Sequence, residues 1–173
     1  MKKVILTIVA IAAFVLTAAA TDNVASKTSS VVSKARIITP ITLANTGSQP
    51  LDFGIIARGT TGSSVVLVGS VETPSPSVTG DAIVLTSSPQ TAAKFTVGGE
   101  NAKTYAITIP SLPQTITDGA SHNLSITLFT CSNGATGAIG TNNDFYVGAS
   151  LTVPSTATAA SYAGTFNVTV AYN

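Results

Sequence analysis

The chain has 173 residues, about the length of one domain, and only 9 % of them are charged, far below the ~25 % of ordinary domains. Its formal net charge is +1, and without Lys2 and Lys3 it falls to about −1, so a basic surface for nucleic acid or an anionic membrane is excluded. The single cysteine, Cys131, excludes an intrachain disulfide.

Residues 1–20 are predicted to be a secretory signal peptide. Two lysines precede an apolar run over residues 4–16, and three alanines at positions 18–20 supply the small residues of a cleavage site. The run is short of the roughly 20 apolar residues that a membrane span needs. We therefore expect a bacterial protein exported to the periplasm, the cell surface or an extracellular fibre, with no membrane span after cleavage.

A segment of small polar residues follows, and after it comes a segment in which apolar and polar residues alternate. Residues 21–30 are predicted to be a flexible leader, and residues 31–43 a long strand with Pro40 as a bend. Four apolar residues share one face of that strand: Val31, Ala35, Ile37 and Ile41. Two interpretations stay open, because alternation does not say which molecule a strand pairs with. The segment is either an ordinary first strand or a donor strand that completes another molecule.

The rest of the chain is predicted to be a single β-sandwich domain over residues 31–173. Apolar residues are not spaced at helical intervals, and short alternating runs are separated by Gly, Pro and Asn. About nine strands at this spacing favour an all-β, antiparallel, immunoglobulin-like sandwich. Residues 122–131 form a central strand with Leu124, Ile126 and Leu128 on one face, whereas residues 72–80 and 132–144 are loops.

The end of the chain is the clearest strand signal. Phe166, Val168, Val170 and Tyr172 alternate with small or polar residues up to the terminal Asn173. We expect these four side chains to be buried. With Asn173 they are candidates for the edge of a groove and for an anchor at the C-terminus.

Polar residues give little support to catalysis or metal binding. His122 has no convergent partners, Asp144 lacks the spaced oxygen ligands that calcium needs, and Gly98-Gly99 indicates a hairpin turn because no helix follows. Cys131 is expected to be either buried and inert or part of an intermolecular disulfide. We expect no catalytic residues, no metal and no cofactor, and predict that the protein is not an enzyme.

Six segments in order resemble a bacterial secreted family known mainly as a domain of unknown function. They are residues 37–43 (IITPITL), 51–54 (LDFG), 93–99 (AKFTVGG), 105–110 (YAITIP), 146–153 (YVGASLTV) and 162–172 (YAGTFNVTVAY). The pattern is also similar to the spore-coat-U-like subunits of archaic chaperone–usher pili. This resemblance implies an incomplete immunoglobulin-like sandwich whose groove is filled first by a periplasmic chaperone and later by the N-terminal extension of the next subunit. Those subunits usually carry a disulfide near the first strand, which this chain lacks.

The resemblance and the alternating ends together predict a structural, pilin-like surface subunit. Its partners would be other copies of itself or related subunits, with a periplasmic chaperone and an outer-membrane usher during assembly. Its role would lie in surface fibres, adhesion or biofilm. The alternative is a self-contained secreted sandwich that binds a glycan or another surface protein through residues 72–80 and 132–144.

Overall fold

The computed structural model describes residues 26–173. The predicted signal peptide and residues 21–25 of the predicted leader lie outside this range. Residues 26–36 contain neither strand nor helix, and Ile37–Asn173 form a compact unit. No helix in the described range is long and apolar enough to cross a membrane.

The compact unit is built from twelve short strands, all paired antiparallel, and one 3-10 turn at Thr46–Ser48. The strands are β1 (Thr42–Asn45), β2 (Ile56–Ala57), β3 (Ser63–Leu67), β4 (Ser77–Thr79), β5 (Ile83–Val84), β6 (Ala93–Gly98), β7 (Thr104–Thr108), β8 (Gln114–Thr117), β9 (Asn123–Cys131), β10 (Thr136–Ala138), β11 (Asp144–Val153) and β12 (Thr169–Tyr172). The predicted all-β antiparallel sandwich is confirmed.

The larger sheet has seven strands and forks around β11. One edge of β11 pairs with β9, which in turn pairs with β8. The other edge changes partner along its length, because residues 144–147 pair with β6 and residues 149–153 pair with β3. Strand β1 then extends the sheet from β6, and β4 extends it from β3.

Two glycines permit the fork. Gly148 lies between the two paired halves of β11, and Gly69 follows the end of β3. A Cβ on Gly148 would overlap the Leu67 carbonyl oxygen and the Gly69 nitrogen, and a Cβ on Gly69 would overlap the Gly148 nitrogen. The backbones can meet this closely only because neither residue has a side chain.

The smaller sheet, in the order β10–β7–β12, covers one half of the larger sheet. Between them lies the sandwich core: Ala93, Val97, Tyr105, Ile107, Ile139, Phe145 and Val147. Phe95 and Phe145 stack within this layer at 5.4 Å between ring centroids. This half of the molecule has two complete sheet layers.

The other half of the larger sheet lacks such a cover. Its inner face carries the cleft core: Phe53, Val65, Leu67, Leu124, Ile126, Ala149, Leu151 and Val153. Above it lies a two-stranded ribbon of β2 and β5, whose Ile56 and Val84 pack downward, together with chain from the 157–166 region. The second layer is therefore mostly irregular at this end of the molecule.

The predicted first strand differs from the observed one. Residues 31–41 form no strand, and β1 begins only at Thr42. Pro40 has no N–H to donate, and Thr39 directs its amide and hydroxyl to the Glu100 carboxylate at 3.4 and 3.3 Å. These local features end the ladder before it reaches the apolar residues upstream.

The central strand β9 also departs from its predicted alternation. Leu124 and Ile126 are buried as expected, but Leu128 is 77 % exposed. The ladder with β11 shifts register between Gly148 and Ser150, and Leu128 has a φ of +50°. The extra residue is a β-bulge, which turns Phe129 inward in place of Leu128.

Two segments predicted as loops contain strands. Strand β4 lies inside residues 72–80 and pairs with β3, and β10 lies inside residues 132–144 and pairs with β7. Both are three residues long and sit at sheet edges, where short strands with Ser, Thr and Gly are tolerated.

Candidate functional site

A cleft of about 960 Å³ opens over the cleft core, where the second layer is irregular. The centre of its floor is formed by side chains from two adjacent strands of the larger sheet, Leu124 and Ile126 of β9 and Leu151 and Val153 of β11. Phe53 and Ile116 also face it. A volume of this size is at the upper end of the range for binding pockets.

The first wall is the segment over residues 50–58, which includes β2. Asp52 exchanges two backbone hydrogen bonds with Thr91, each of 2.9 Å. Further along, the Leu85 amide donates to the Ile55 carbonyl at 2.8 Å, and Ile56 pairs with Val84. This wall is therefore fixed to β5 and to the chain just before β6.

The second wall is the segment over residues 157–166. The Ala157 amide closes a turn onto Pro154, and the Tyr162 hydroxyl donates to the Thr158 carbonyl at 2.8 Å. Ala163 exchanges two hydrogen bonds of 2.9 Å with Thr117 of β8. This wall is fixed to the edge of the larger sheet.

The cleft is almost uncharged. Among its described lining residues only Asp52 and Arg58 carry charge. The Asp52 carboxylate accepts a hydrogen bond from the Gly54 amide at 2.8 Å, and the Arg58 guanidinium donates to the Ala157 carbonyl. An apolar floor with two rim charges suits an apolar occupant, because unpaired polar groups lose free energy when they are buried.

The C-terminal candidates divide between two places. All four predicted side chains are half-buried and pack against the sandwich core, and the residues between them are exposed. Only Phe166 also lines the cleft, where its ring lies 5.0 Å from that of Phe129. The predicted alternation is correct, but Val168, Val170 and Tyr172 are covered by the same chain.

The last residues are held by hydrogen bonds as well as by packing. Strand β12 pairs with β7, and the Asn173 amide donates to the Thr104 carbonyl at 3.2 Å. The Tyr172 hydroxyl accepts from the Glu100 amide at 2.7 Å and donates to the Thr39 carbonyl at 2.8 Å. The C-terminus thereby anchors the chain just ahead of β1.

The donor-strand candidates also divide. Ile41 packs against the sandwich core of its own chain. Val31, Ala35 and Ile37 are exposed, with Val31 at 87 % and Ile37 at 96 %. We call residues 26–37, which are all exposed and outside any strand, the arm.

The remaining polar candidates form local contacts. His122 bonds the Asp118 carboxylate through Nδ1 at 2.5 Å, and this hydrogen bond lowers the pKa of Asp118. The Asp144 carboxylate binds the Thr96 hydroxyl at 2.5 Å and Lys94 at 3.1 Å, which lower its pKa. The first pair lies within the loop between β8 and β9, and the second joins the neighbouring strands β6 and β11.

Cys131 is a half-buried free thiol, and burial raises its pKa. A raised pKa disfavours the reactive thiolate. No group of three or more metal-binding side chains occurs in residues 26–173.

The resemblance implied a groove, and Phe166, one of the residues expected at its edge, does line the cleft. No local pattern in the sequence indicated where the cleft lies, because residues 157–161 carry only small or polar side chains. Arg58 was not singled out, because one arginine beside a turn has no pattern of its own.

The fold and this cleft define an antiparallel β-sandwich whose second layer is incomplete at one end. The family model of a domain of unknown function, DUF4402, matches residues 41–172, and the chain belongs to this family. No curated protein and no solved structure matches the chain.

Proposed function

We propose that this protein is a non-enzymatic exported structural subunit that assembles by β-strand complementation. In this proposal the arm of one molecule inserts into the cleft of the next and supplies the strand that the second layer lacks. The observation that carries it is the cleft itself, which lies over an apolar sheet face where a sandwich would have another strand.

The arm has the chemistry that such a cleft would accept. Val31, Ala35 and Ile37 share one face of an extended chain, and all three are exposed in the free molecule. Full burial of a Val or Ile side chain contributes about 1.5–3 kcal/mol. Two such residues offset part of the entropy lost when the arm becomes ordered.

The surface composition supports contact between copies. Only 9 % of the residues are charged, so like-charge repulsion between neighbouring subunits is weak. The proposal also takes up the resemblance of the sequence pattern to spore-coat-U-like subunits, from which a periplasmic chaperone and an outer-membrane usher would be the assembly partners. Surface fibres, adhesion or biofilm would be the setting.

The proposal is tested by light scattering coupled to size-exclusion chromatography. We compare the chain without its predicted signal peptide with a version that also lacks residues 21–36. The longer chain should form concentration-dependent oligomers and the shorter one should stay monomeric. A synthetic peptide of residues 26–38, added to the shorter chain, should bind and raise its melting temperature.

Two substitutions on adjacent residues provide the matched control. Val31→Asp puts a charge on the predicted inserting face, and Val32→Asp puts the same charge on the opposite face. Oligomer formation should fall strongly for the first and little for the second. If both chain lengths are monomers of equal melting temperature and the peptide does not bind, complementation is wrong and the self-contained binding module is favoured.

A further inference from the structure

We propose that the hydrogen bond from Arg58 to the Ala157 carbonyl is a latch that holds the two walls of the cleft together at the rim until a strand enters. This inference rests on the proposed function, since it concerns how the same cleft is regulated. Arg58 belongs to the first wall and Ala157 to the second, so the bond crosses from one side of the cleft to the other.

The latch is the one polar link between the walls in the described part of the chain. The first wall is held by Thr91 and by β5, whereas the second is held by Pro154 at one end and by Thr117 at the other. Because these anchors are separate, breaking the link leaves each wall attached to its own support. The stretch between Ala157 and Ala163 then becomes free to move.

The chemistry of the link suits a reversible contact. A charged donor makes a stronger hydrogen bond than a neutral one, and Arg58 is exposed, so its guanidinium can exchange the carbonyl for water without being desolvated. The walls otherwise meet the cleft through apolar side chains such as Ile56 and Phe166. A single polar contact at the rim can therefore open without disrupting the floor.

In this proposal an entering strand displaces this bond. A strand lies about 4.7–4.9 Å from each strand with which it pairs, whereas the Arg58–Ala157 hydrogen bond holds the two walls directly together. Opening should therefore precede insertion, and the rate of insertion should depend on how often the latch is released.

The test uses Arg58→Gln, in which the side chain is shorter and uncharged and no longer reaches the Ala157 carbonyl. Lys103→Gln is the control, because it removes one positive charge outside the cleft. The mobility of the second wall is followed by backbone 15N relaxation at Ala159 and Ala160, which lie between the two anchors of that wall, and hydrogen exchange is followed at the amide of Ala163. We expect the order parameters at Ala159 and Ala160 to fall from about 0.85 toward about 0.6 in Arg58→Gln, while exchange at Ala163, which is bonded to Thr117, changes by less than about twofold.

The second readout is the association rate of a fluorescent peptide of residues 26–38 with each variant, measured on the chain that lacks residues 21–36. The rate should rise severalfold in Arg58→Gln and stay unchanged in Lys103→Gln. Equal order parameters at Ala159 and Ala160 in the two variants overturn the latch, as does a more mobile wall with no gain in association rate when the peptide binds. A more mobile wall with no peptide binding at all supports the latch between the walls and rejects complementation instead.

Discussion

At the scale of single residues, Asp81 shows how this chain uses its few charges. Its carboxylate accepts hydrogen bonds from the amides and hydroxyls of Thr60 and Thr61, at distances from 2.7 to 3.2 Å. The Ser63 hydroxyl, 3.4 Å away, completes the set and in turn accepts from the Ala82 amide. One carboxylate therefore ties the turn before β3 to the start of β5.

These hydrogen bonds lower the pKa of Asp81 well below its ordinary value of 3.8. Because the unfolded chain binds the proton more readily, the carboxylate stabilises the fold fully above about pH 4. That contribution is lost as the pH falls from about 4 toward the lower pKa of the folded state. We expect Asp81→Asn to lower the melting temperature at pH 6 and to flatten its decline between pH 4 and pH 2.

Thermal unfolding across this pH range checks the prediction, with Asp52→Asn as the control. The Asp52 carboxylate accepts a hydrogen bond from the Gly54 amide and has no contact with the turn that Asp81 holds, so its substitution should leave the acid decline in place. An unchanged slope in Asp81→Asn would contradict the assignment.

At the scale of elements, β9 shows where alternation predicts burial and where it fails. Period-two spacing correctly placed Leu124 and Ile126 inside, because the ladder with β11 is regular up to Thr127. It failed at Leu128, because the bulge shifts every later side chain to the opposite face. A bulge arises from register between strands distant in sequence, so neither residue type nor spacing announces it.

The bulge yields a prediction about Ile126 and Leu128, two aliphatic residues that the alternation of β9 places on the same face. Leu128→Asn removes an exposed side chain at a positive φ, a conformation that Asn adopts more readily. Its free energy of unfolding should stay within about 0.5 kcal/mol of wild type or exceed it. Ile126→Ala, at 6 % exposure, should lose about 2–5 kcal/mol.

Urea denaturation of the two variants measures both values. If Leu128→Asn lowers the free energy of unfolding as much as Ile126→Ala does, Leu128 faces the core and the alternation of β9 is unbroken. Such a result would also require Phe129, which packs against both cores, to face outward.

At the scale of the whole molecule, the sequence predicted the class of fold but not the division into two unequal halves. Strand content, antiparallel pairing and the terminal alternation follow from local spacing, which the chain displays plainly from Phe166 to Tyr172. The division depends on β11 changing partners at Gly148, and on the second layer ending beside residues 157–166. Both features depend on pairing between segments that are distant in sequence, and the spacing of residues within one segment does not indicate its distant partner.

The fork is what joins those halves, because β11 carries Phe145 and Val147 into the sandwich core and Leu151 and Val153 into the cleft core. Gly148→Ala would place a methyl group against the Leu67 carbonyl and the Gly69 backbone, which cannot move without separating β3 from β11. We expect it to lower the free energy of unfolding by about 3 kcal/mol, at the upper end for overpacking. Gly140→Ala, where no atom lies within 4 Å of the new methyl, should cost no more than about 0.5 kcal/mol.

Hydrogen exchange shows whether the damage in Gly148→Ala is local to the fork or shared. Since β3 leaves β11 at this point, the Val65 and Leu67 amides should lose more protection than the Val97 amide, which is bonded to Asn143 on the sandwich side. An equal loss at all three sites would mean that the two halves open as one cooperative unit. In that case the cleft could not admit a strand without loosening the sandwich core, and insertion would have to be as slow as global unfolding.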